Sequence, residues 1–559
     1  MSRAAISETM CRAAPILMLL IALAGHGLAL ANPADDASLP GQRIYRDGVL
    51  PSGEAVRAMV QKGVGLSGAD AACAKCHRRS GLGGSEGSSN IRPIAGRLLF
   101  IQSETARPVE AGGGASAGAR VAERPAYTEA TLARALRDGI DPAGHALNPL
   151  MPRYTLSDAE IAQLHTYLGA LSSEPAAGVS DTTIHFATII APGVSPEKSR
   201  AMLDVLQAFV RDKNGGTRKE TRRREVGREQ MYRAFRTWKL HPWELTGPPQ
   251  TWGDQLAAYY RQQPVFAVIG GIGGGSWQPV HTFCETFELP CIFPDVDYPD
   301  VTGTGYYPLY FSRGVTLEAE VLAKHLLETR PSARNDMVVQ VYRDNALGRV
   351  PAQVLREALL RSRGETVVDY PLAEGGQLSM ETLAKLAGKD RPYVLVVWLG
   401  SADSKDLGFS SEPPAALKSI YMSASLSAMR RPDFSAGWLS KLSMVYPFDL
   451  PANREQRLMR MKAWLHARKI PLTDERTQAN AFFAATVTGD AISHLGNNFS
   501  RDYLIERIEQ MTQSSLSPSV YPHLSLGPGQ RFASKGGYVI RFSPAADSMP
   551  LVISEWLIP

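Results

Sequence analysis

The chain has 559 residues, of which 44% are hydrophobic and 21% are charged, and its formal net charge is +5. This composition is ordinary for a globular protein, and the length exceeds what one hydrophobic core organises, so we expect about three structural units. The weak positive charge is dispersed along the chain, which argues against a nucleic-acid-binding protein.

The first 31 residues have the pattern of an export signal. Arg3 and Arg12 supply positive charge, an apolar run follows at 15–25, and Ala29 to Ala31 form a cleavage-site pattern. The apolar run is shorter than the roughly 20 residues that span a bilayer. We therefore expect a periplasmic protein with no membrane span after removal of 1–31; a retained anchor is the alternative.

Two of the five cysteines stand in the segment Cys73-Ala74-Lys75-Cys76-His77. This is the C-x-x-C-H spacing at which two thiols bind one haem covalently and the histidine ligates its iron. A zinc site would need further ligands nearby, and a redox dithiol would need a βαβ context. The segment therefore predicts one haem c, attached through Cys73 and Cys76 with His77 as an axial ligand.

Met151 is the predicted second axial ligand. It is flanked by Pro149 and Pro152, which favour a stiff, non-helical segment. A thioether opposite the imidazole raises the reduction potential and favours electron transfer. His145 and His165 are the alternatives, and His165 lies in a predicted helix that begins with a capping box at 157–160 and continues with apolar residues at helical spacing.

Residues from about Gly41 to Leu171 resemble a class I cytochrome c. The resemblance is carried by GQRIYRDGVLPSG, CAKCH and YTEATLARALRDGIDPAGHALNPLMPRY, followed by a closing helix. It implies a small all-α domain, assigned to 32–172, with His77 and Met151 as the iron ligands. The Gly/Ala-rich insert Glu110 to Arg120 departs from the family pattern and predicts a flexible loop.

A linker is expected at 173–182, and a different pattern runs from 183 to 559. Continuous apolar strands alternate with amphipathic helices there, which indicates parallel sheets covered on both faces. The expected strands are IHFATII, VFAVIG, MVVQVY, YVLVVWLG, SIYMSA and SMVYPF. This length is too great for one core, so we expect two α/β lobes.

This second part resembles the periplasmic solute-binding proteins of the branched-chain amino acid type. The motifs are VFAVIGGIGGGSWQPV, ELPCIFP, LYFSRGVTLEAEVLAKHL, VVQVYRDNALGRV and ANAFFAATVTGDAI, and their order gives the resemblance its specificity. It covers most of Thr183 to Pro559. The resemblance implies a small-molecule ligand, of unknown identity, between two lobes.

A glycine-rich loop at Gly270 to Gly275 follows an expected strand and leads to Ser276. Backbone N–H groups and a hydroxyl at the start of a helix suit an anion such as a carboxylate. The loop lacks the Gly-Lys-Ser/Thr sequence of a nucleotide-phosphate site. A glycine-rich turn that only lets strand and helix pack is the alternative.

Asp295 and Asp297 stand where the resembled family places Ser, Thr or Ala at its ligand. This departure argues against a free amino acid and favours a cationic ligand, with solvated loop carboxylates as the alternative. Trp277, Tyr306 and Tyr307 are expected either to line the cleft or to pack in the core or hinge. The predicted cleft residues are Ser276, Trp277 and Asp295.

Cys284 and Cys291 fit a disulfide that ties a helix to the following strand in an oxidising compartment. The basic run at 218–228 is interleaved with glutamates, which is typical of a solvated helix face. A docking patch for an acidic redox partner is the alternative.

The sequence thus predicts an exported monohaem c-type cytochrome that transfers electrons between periplasmic partners and carries a fused small-molecule-binding domain. The alternatives are the electron-accepting subunit of a periplasmic dehydrogenase and the solute receptor of an importer. No nucleophile–base pair stands out in the second part, so an electron carrier is favoured over an independent enzyme.

Overall fold

The structure is a computed structural model. It describes residues 33–60, 63–86, 89–105, 122–224, 236–301, 305–330, 337–376, 379, 381–382, 385, 391–400, 412–512, 518–542 and 549–559. The predicted signal at 1–31 and the Gly/Ala-rich insert lie outside these residues. The basic run at 218–228 lies on a helix as far as Arg224, and its side chains are outside the description.

The described residues of an N-terminal unit, 33–172, form five α-helices and seven short strands. In chain order its elements are α1 (Pro33–Asp47), β1 (Arg57–Val60), β2 (Val64–Ser67), a 3₁₀ helix (Gly68–Ala71), α2 (Ala74–His77), β3 (Gly84–Glu86), β4 (Ser89–Ile91), α3 (Gly96–Leu99), β5 (Ser103–Thr105), β6 (Ala122–Arg124), α4 (Glu129–Arg137), β7 (Arg153–Tyr154) and α5 (Asp158–Ala170).

The expectation of an all-α N-terminal domain is wrong. Strands β2, β1 and β7 form a three-stranded antiparallel sheet, and β3–β4 and β5–β6 form two further pairs. In β1 only Ala58 is buried, and Met59 is exposed. Strands this short carry too little hydrophobic alternation to stand out in the sequence.

The core of the N-terminal unit is built mainly by α1, α4 and α5. Ile44 and Tyr45 of α1 pack with Leu164 and Leu168 of α5. The predicted capping box is confirmed: the Ser157 side chain accepts from the Glu160 N–H, and the Glu160 side chain accepts from the Ser157 N–H. The helix therefore begins where the sequence indicates.

The larger part begins with lobe 1 and then enters lobe 2. Lobe 1 opens with β8 (Thr183–Ile190), α6 (Pro196–Arg224), β9 (Thr237–Glu244), a 3₁₀ helix (Pro249–Thr251), α7 (Trp252–Gln262), β10 (Ala267–Ile269), β11 (Ile272–Gly273), α8 (Gln278–Thr286), β12 (Cys291–Ile292), β13 (Asp295–Val296) and β14 (Pro308–Leu309). Lobe 2 follows with α9 (Val315–Thr329), β15 (Met337–Arg343), α10 (Ala346–Arg363), β16 (Val367–Leu372), β17 (Tyr393–Trp398), β18 (Leu417–Ser423), α11 (Ala436–Lys441) and β19 (Leu442–Tyr446).

The chain then returns to each lobe once more. Helices α12 (Pro451–Ala467), α13 (Glu475–Ser493) and α14 (Arg501–Thr512) complete lobe 1, and strands β20 (Tyr538–Arg541) and β21 (Leu551–Val552) complete lobe 2. The lobe 1 sheet is parallel, with the order β13-β11-β8-β10-β12-β14 and β9 beside β8. The lobe 2 sheet has the order β16-β15-β17-β18-β19-β20-β21, and only its last two strand pairs are antiparallel.

The prediction of a two-lobed α/β unit is confirmed by these two sheets. Among the described elements, the main chain crosses between the lobes three times, after β14, after β19 and after α14. The first and third crossings touch, because Tyr310 and Phe532 form a parallel bridge. Such paired crossings are suited to act as a hinge.

The predicted linker at 173–182 is bound to lobe 1. The Ala176 N–H donates to the carbonyl of Phe499 at 2.9 Å, and the His185 N–H donates to the carbonyl of Gly178 at 2.8 Å. Separately, in the described part of the chain no helix has the length and apolar character needed to cross a membrane.

Candidate ligand site between the lobes

A cavity of about 260 Å³ lies between the lobes. Lobe 1 contributes Lys198 from the first turn of α6, Arg454 from α12, and the segment Asp474 to Arg476 at the start of α13. Lobe 2 contributes the loop 428–430, which follows β18. Because both lobes line it, the cavity changes shape when the lobes move relative to each other.

The cationic side chains of the cavity differ in how far the chain already neutralises them. Arg454 donates to Glu475 at 2.9 Å and also contacts the hydroxyl of Tyr446. The Lys198 ammonium is 3.9 Å from the Asp474 carboxylate, at the limit of an ion pair. Arg430 is exposed and makes no ion pair with a described residue. Lys198 and Arg430 are thus the cations most available to a ligand.

The lobe 2 loop at the cavity has an uncommon backbone. Ala428 and Met429 both have positive φ, 52° and 58°, in the left-handed region that favours glycine. The Met429 N–H donates to the carbonyl of Ala424 at 2.8 Å, which holds the loop in this turn. Strain of this kind clusters at binding and switch segments.

Asp295, a predicted cleft residue, is buried and bound by the chain itself. Its carboxylate is 3.0 Å from the Arg476 guanidinium and accepts from Thr477 at 2.7 Å and from Asn480 at 2.9 Å. Burial alone would raise the pKa of Asp295, but Arg476 and these hydrogen bonds hold it below its usual range. Asp297 also pairs with Arg476, at 2.6 Å. The chain's own arginine therefore occupies the place that the sequence suggested for a cationic ligand.

Ser276, the second predicted cleft residue, is engaged with a carboxylate of the chain. Its hydroxyl donates to Asp300 at 2.5 Å, and Tyr298 donates to the other Asp300 oxygen at 2.5 Å. Helix α8 begins at Gln278, close behind this group. The Ser276 hydroxyl, one of the groups expected to meet an anion, is thus bound to Asp300.

Trp277, the third predicted cleft residue, is in the core of lobe 1 and almost fully buried. Its ring lies against Gly271 and Gly273, where an added Cβ would approach the ring to 3.2 Å and 2.8 Å. Two glycines of the loop thus make room for this indole. The structure favours the core-packing alternative for Trp277.

Glu318, on α9 of lobe 2, is a buried carboxyl that the sequence did not single out. It accepts from the Ser425 N–H at 3.0 Å, and its second oxygen has no hydrogen-bond partner among the described atoms. Burial raises the pKa of Glu318 to about 7, against the lowering effect of hydrogen bonds from Ser423 and Ser425; nearby Asp297 raises it further. Burial thus favours the protonated form of this carboxyl.

Tyr306 and Tyr307 lie at the boundary between the N-terminal unit and lobe 1. The Arg79 guanidinium is 4.1 Å from the centre of the Tyr306 ring, and Tyr307 donates to Asp502 of α14 at 2.8 Å. Both tyrosine N–H groups donate to Glu285, at 2.7 and 2.9 Å. Neither tyrosine lines the cavity.

The Cys73–His77 segment lies at the edge of the N-terminal core, where Cys73 precedes the short helix α2. Cys73 is buried in that core, Cys76 is exposed, and Met151 packs against the same core. Nδ1 of His77 is 3.0 Å from the Arg92 carbonyl oxygen. Burial lowers the pKa of His77, although this hydrogen bond opposes the shift. In the neutral ring Nδ1 therefore carries the proton, and Nε2 keeps the lone pair that a metal would use.

His145 and His165, the alternative axial ligands, have different surroundings. His145 is exposed, 3.5 Å from Asp141, and the His165 ring packs on Phe100 with centres 4.5 Å apart. Within the ranges that the structure describes, no group of three or more His, Cys, Asp or Glu residues could hold a metal ion. Cys284 and Cys291 are joined by a disulfide that ties α8 to β12, with Cα atoms 6.3 Å apart.

Sequence reasoning identified none of the residues that line the cavity. Asp474 caps α13 by accepting from the Thr477 N–H at 2.9 Å, so the D-x-x-T pattern before an apolar helix could have placed this helix start. Arg476 then follows inside the first turn. Arg430 has no such signal, because it follows the strained turn at 428–429 and no local pattern predicts that turn.

No protein-family model and no curated protein matches the chain. Several solved structures are similar in fold. A fatty acid ABC transporter substrate-binding protein from Thermomonospora curvata is 16% identical and has a TM-score of 0.47, with 69% of this chain and 95% of that chain covered. A branched-chain amino acid ABC transporter protein from Thermus thermophilus, with bound valine, is 11% identical with a TM-score of 0.46 and coverage of 68% and 97%. A periplasmic ligand-binding protein of a branched-chain amino acid ABC transporter from Burkholderia xenovorans LB400 is 13% identical with a TM-score of 0.48 and coverage of 67% and 96%.

These findings correct the main functional hypothesis drawn from the sequence. The similar structures are titled as parts of solute transport systems, which agrees with the alternative of a solute receptor and contradicts an electron carrier between periplasmic partners. The expected redox partner and the assignment as an iron-dependent electron-transport protein find no support either. The covalent haem itself is tested by none of these comparisons and stays a prediction.

Proposed function

We propose that the chain is the solute receptor of an importer and that its two lobes close on a small anionic molecule. The observation that carries the proposal is the cavity lined from both lobes, with Lys198 on one side and Arg430 on the other. A solute that contacts both residues would bind the closed arrangement better than the open one. Differential affinity of this kind is what drives closure.

The charges of the cavity favour an anion. Its acidic lining residues, Asp474 and Glu475, already face Lys198 and Arg454, and Arg476 is held by Asp295 and Asp297. A cationic solute would therefore compete with the chain's own cations. A carboxylate would instead accept from Arg430, where charge-assisted hydrogen bonds are strong and geometrically selective.

The volume of the cavity limits the size of the solute. About 260 Å³ is below the range of roughly 300–1,000 Å³ that holds drug-sized ligands. We therefore expect a small metabolite. The export signal pattern and the disulfide support a periplasmic location for its receptor.

The proposal is tested by calorimetric titration with matched panels of two- to six-carbon carboxylates, amines and neutral amides. We expect at least one carboxylate to bind the native chain. Arg430→Gln and Lys198→Gln should each weaken that binding about tenfold or more, because each removes a charge-assisted contact. Arg460→Gln, an exposed arginine of α12 outside the cavity, is the charge-matched control.

Solution scattering on the same samples separates the two parts of the proposal. An amine or amide that binds and makes the chain more compact would retain the receptor and refute the anionic ligand. If no member of any panel bound or changed the scattering profile, the receptor itself would be refuted.

For the N-terminal unit we propose one covalent haem c, attached at Cys73 and Cys76, as the resemblance of about 41–171 to class I cytochromes c implies. The position of His77 supports this, because the Arg92 carbonyl directs its Nδ1 proton and leaves Nε2 for an iron. Met151 is the proposed second ligand. This proposal concerns the cofactor alone and assigns no electron-transfer role.

Mass spectrometry of the chain matured in a periplasm tests the haem directly. We expect the mass of one haem above the processed chain, and no added mass in the Cys73→Ser, Cys76→Ser variant. A Met151→Ala variant should keep the mass and change the visible spectrum. An unchanged spectrum would direct attention to His145.

A further inference from the structure

A face of the N-terminal unit is docked on lobe 1 through charged side chains, of which Arg46 and Asp502 are largely buried. Arg46 of α1 pairs with Glu288 and with Asp502 of α14, each at 3.0 Å. Its guanidinium also donates to Tyr167 at 3.1 Å. Arg46 and Asp502 are almost fully withdrawn from solvent, so this contact is part of the folded interior rather than a surface ion pair.

A second contact on this face comes from the segment that follows Cys76 and His77. The Ser80 N–H and hydroxyl donate to the two oxygens of Glu506, at 2.9 and 2.5 Å. Asp502 and Glu506 are four residues apart and lie on the same face of α14. The Arg79 guanidinium is 3.7 Å from the Asp502 carboxylate, so the segment that follows the cysteines contacts this lobe 1 helix at both positions.

Tyr306 connects this docked segment to a crossing between the lobes. Two guanidinium groups lie over its ring, that of Arg79 at 4.1 Å and that of Arg531 at 4.8 Å from the ring centre. Cation–π contacts of this kind are strongest where water is excluded; Arg531 is buried, and Tyr306 is partly buried. Arg79 and Arg531 therefore share one partner.

Arg531 belongs to the third crossing between the lobes, where it is bound on several sides. Its carbonyl accepts from the Tyr310 N–H at 2.8 Å, which joins the third crossing to the first. Its guanidinium donates to Glu509 of α14 at 2.7 Å and to the Gly305 carbonyl at 3.2 Å. A movement of this crossing would alter the contacts that Arg531 makes with Tyr306 and α14.

We propose that the N-terminal unit braces the hinge of the receptor through the series Arg79, Tyr306 and Arg531. Docking of Arg79 and Ser80 on lobe 1 restrains the paired crossings, so the lobe motion and the docking of the N-terminal unit are coupled. Coupling of this kind is reciprocal. If docking changes the equilibrium constant for lobe closure by some factor, closure changes the equilibrium constant for docking by the same factor.

Hydrogen exchange measured by mass spectrometry on the full chain tests this without a ligand. The reporters are the hinge amides of Tyr310, Ala533 and Ser534, which donate across the two crossings at 2.8, 3.0 and 2.7 Å. In Arg79→Ala we expect them to exchange about fivefold faster or more, the lower end of typical coupling between sites.

Two further variants separate bracing from general loosening. Arg79→Lys keeps the positive charge near Asp502 but loses the planar stacking on Tyr306, so we expect an intermediate rate at the hinge. Arg57→Ala, an exposed arginine of β1 in the same unit, should leave the hinge rate unchanged.

Faster exchange confined to Ser80 and α14, with the hinge amides at the native rate, would overturn the proposal, since the N-terminal unit would then be docked without acting on the hinge. Equal acceleration in Arg57→Ala would overturn it as well. Should Arg79→Ala not fold, Arg79→Lys and Tyr306→Leu provide the same comparison.

Discussion

Two buried carboxyl groups at the facing edges of the lobes have opposite electrostatics. Asp295 in lobe 1 has Arg476 at 3.0 Å, and its pKa is below the usual range. Glu318 in lobe 2 has only serine donors and lies near Asp297, and burial raises its pKa to about 7. Burial acts on both groups in the same direction, so the cationic partner decides the outcome.

This contrast extends to the surroundings of the two groups. The lobe 1 edge is fixed by ion pairs, by hydrogen bonds from Thr477 and Asn480, and by a disulfide in the same lobe. The lobe 2 edge has a strained turn at 428–429 and a carboxyl oxygen without a described partner. Lobe 1 therefore offers a preformed surface, and lobe 2 offers the one that adjusts.

Arg476→Met tests the lobe 1 side of the comparison, and we expect it to have the largest effect on stability. It leaves the buried Asp295 and the partly exposed Asp297 without their cation, so we expect a loss of about 3–5 kcal/mol in the free energy of unfolding. Urea denaturation measures this. Arg460→Met, at an exposed position, should stay within about 0.5 kcal/mol of the native chain. A near-neutral Arg476→Met would show that the ion pair does not hold this edge.

Removal of the disulfide tests whether its stabilising effect is confined to lobe 1. Cys284→Ser with Cys291→Ser opens a loop with a sequence separation of 7, for which the chain-entropy relation gives about 2–3 kcal/mol. We expect the amide exchange of β10 in lobe 1 to accelerate and that of β17 in lobe 2 to stay unchanged. Equal acceleration in both sheets would mean that the lobes unfold as one cooperative unit.

Glu318→Gln gives the smallest effect over a single pH unit, and it tests the lobe 2 side of the comparison. Because the folded pKa is raised, the protonated carboxyl stabilises the fold at acid pH, and this contribution is lost as the pH rises from about 4.5 in the unfolded chain to about 7. Within that window the native chain should lose stability relative to Glu318→Gln by about 1.4 kcal/mol per pH unit at most. Denaturation curves at pH 5, 6 and 7 measure the difference, and parallel curves would refute the raised pKa.

The sequence predicted the secondary structure of the two-lobed part better than that of the N-terminal unit, and the reason is physical. Buried parallel strands such as Tyr393–Trp398 are continuous apolar runs, and helix α5 has both a capping box and helical spacing. Strands β1 and β7 of the N-terminal unit are too short and too exposed to show a period. Their pairing depends on residues far apart in the chain, such as Ala58 and Tyr154.

The candidate site was less predictable than the fold. Asp295 and Ser276 were predicted as cleft residues, but the Asp295 partner Arg476 is on a helix that returns from lobe 2, and Asp300 lies beyond the next strand. A single sequence shows that a charged residue is present, but it does not show whether another residue neutralises that charge. Only the fold reveals that Arg476 is paired while Arg430 stays available.

The return of the chain to lobe 1 also fixes an order of assembly. Helix α13 is buried along almost its whole length, and it packs on α6 and on the sheet that begins at β8. During synthesis the residues of that sheet emerge long before residues 475–512, so the lobe 1 core stays open to water until nearly the whole chain is made. A chain truncated before α13 would still contain the described strands of lobe 1. Its apolar surface would nevertheless be exposed and prone to aggregation.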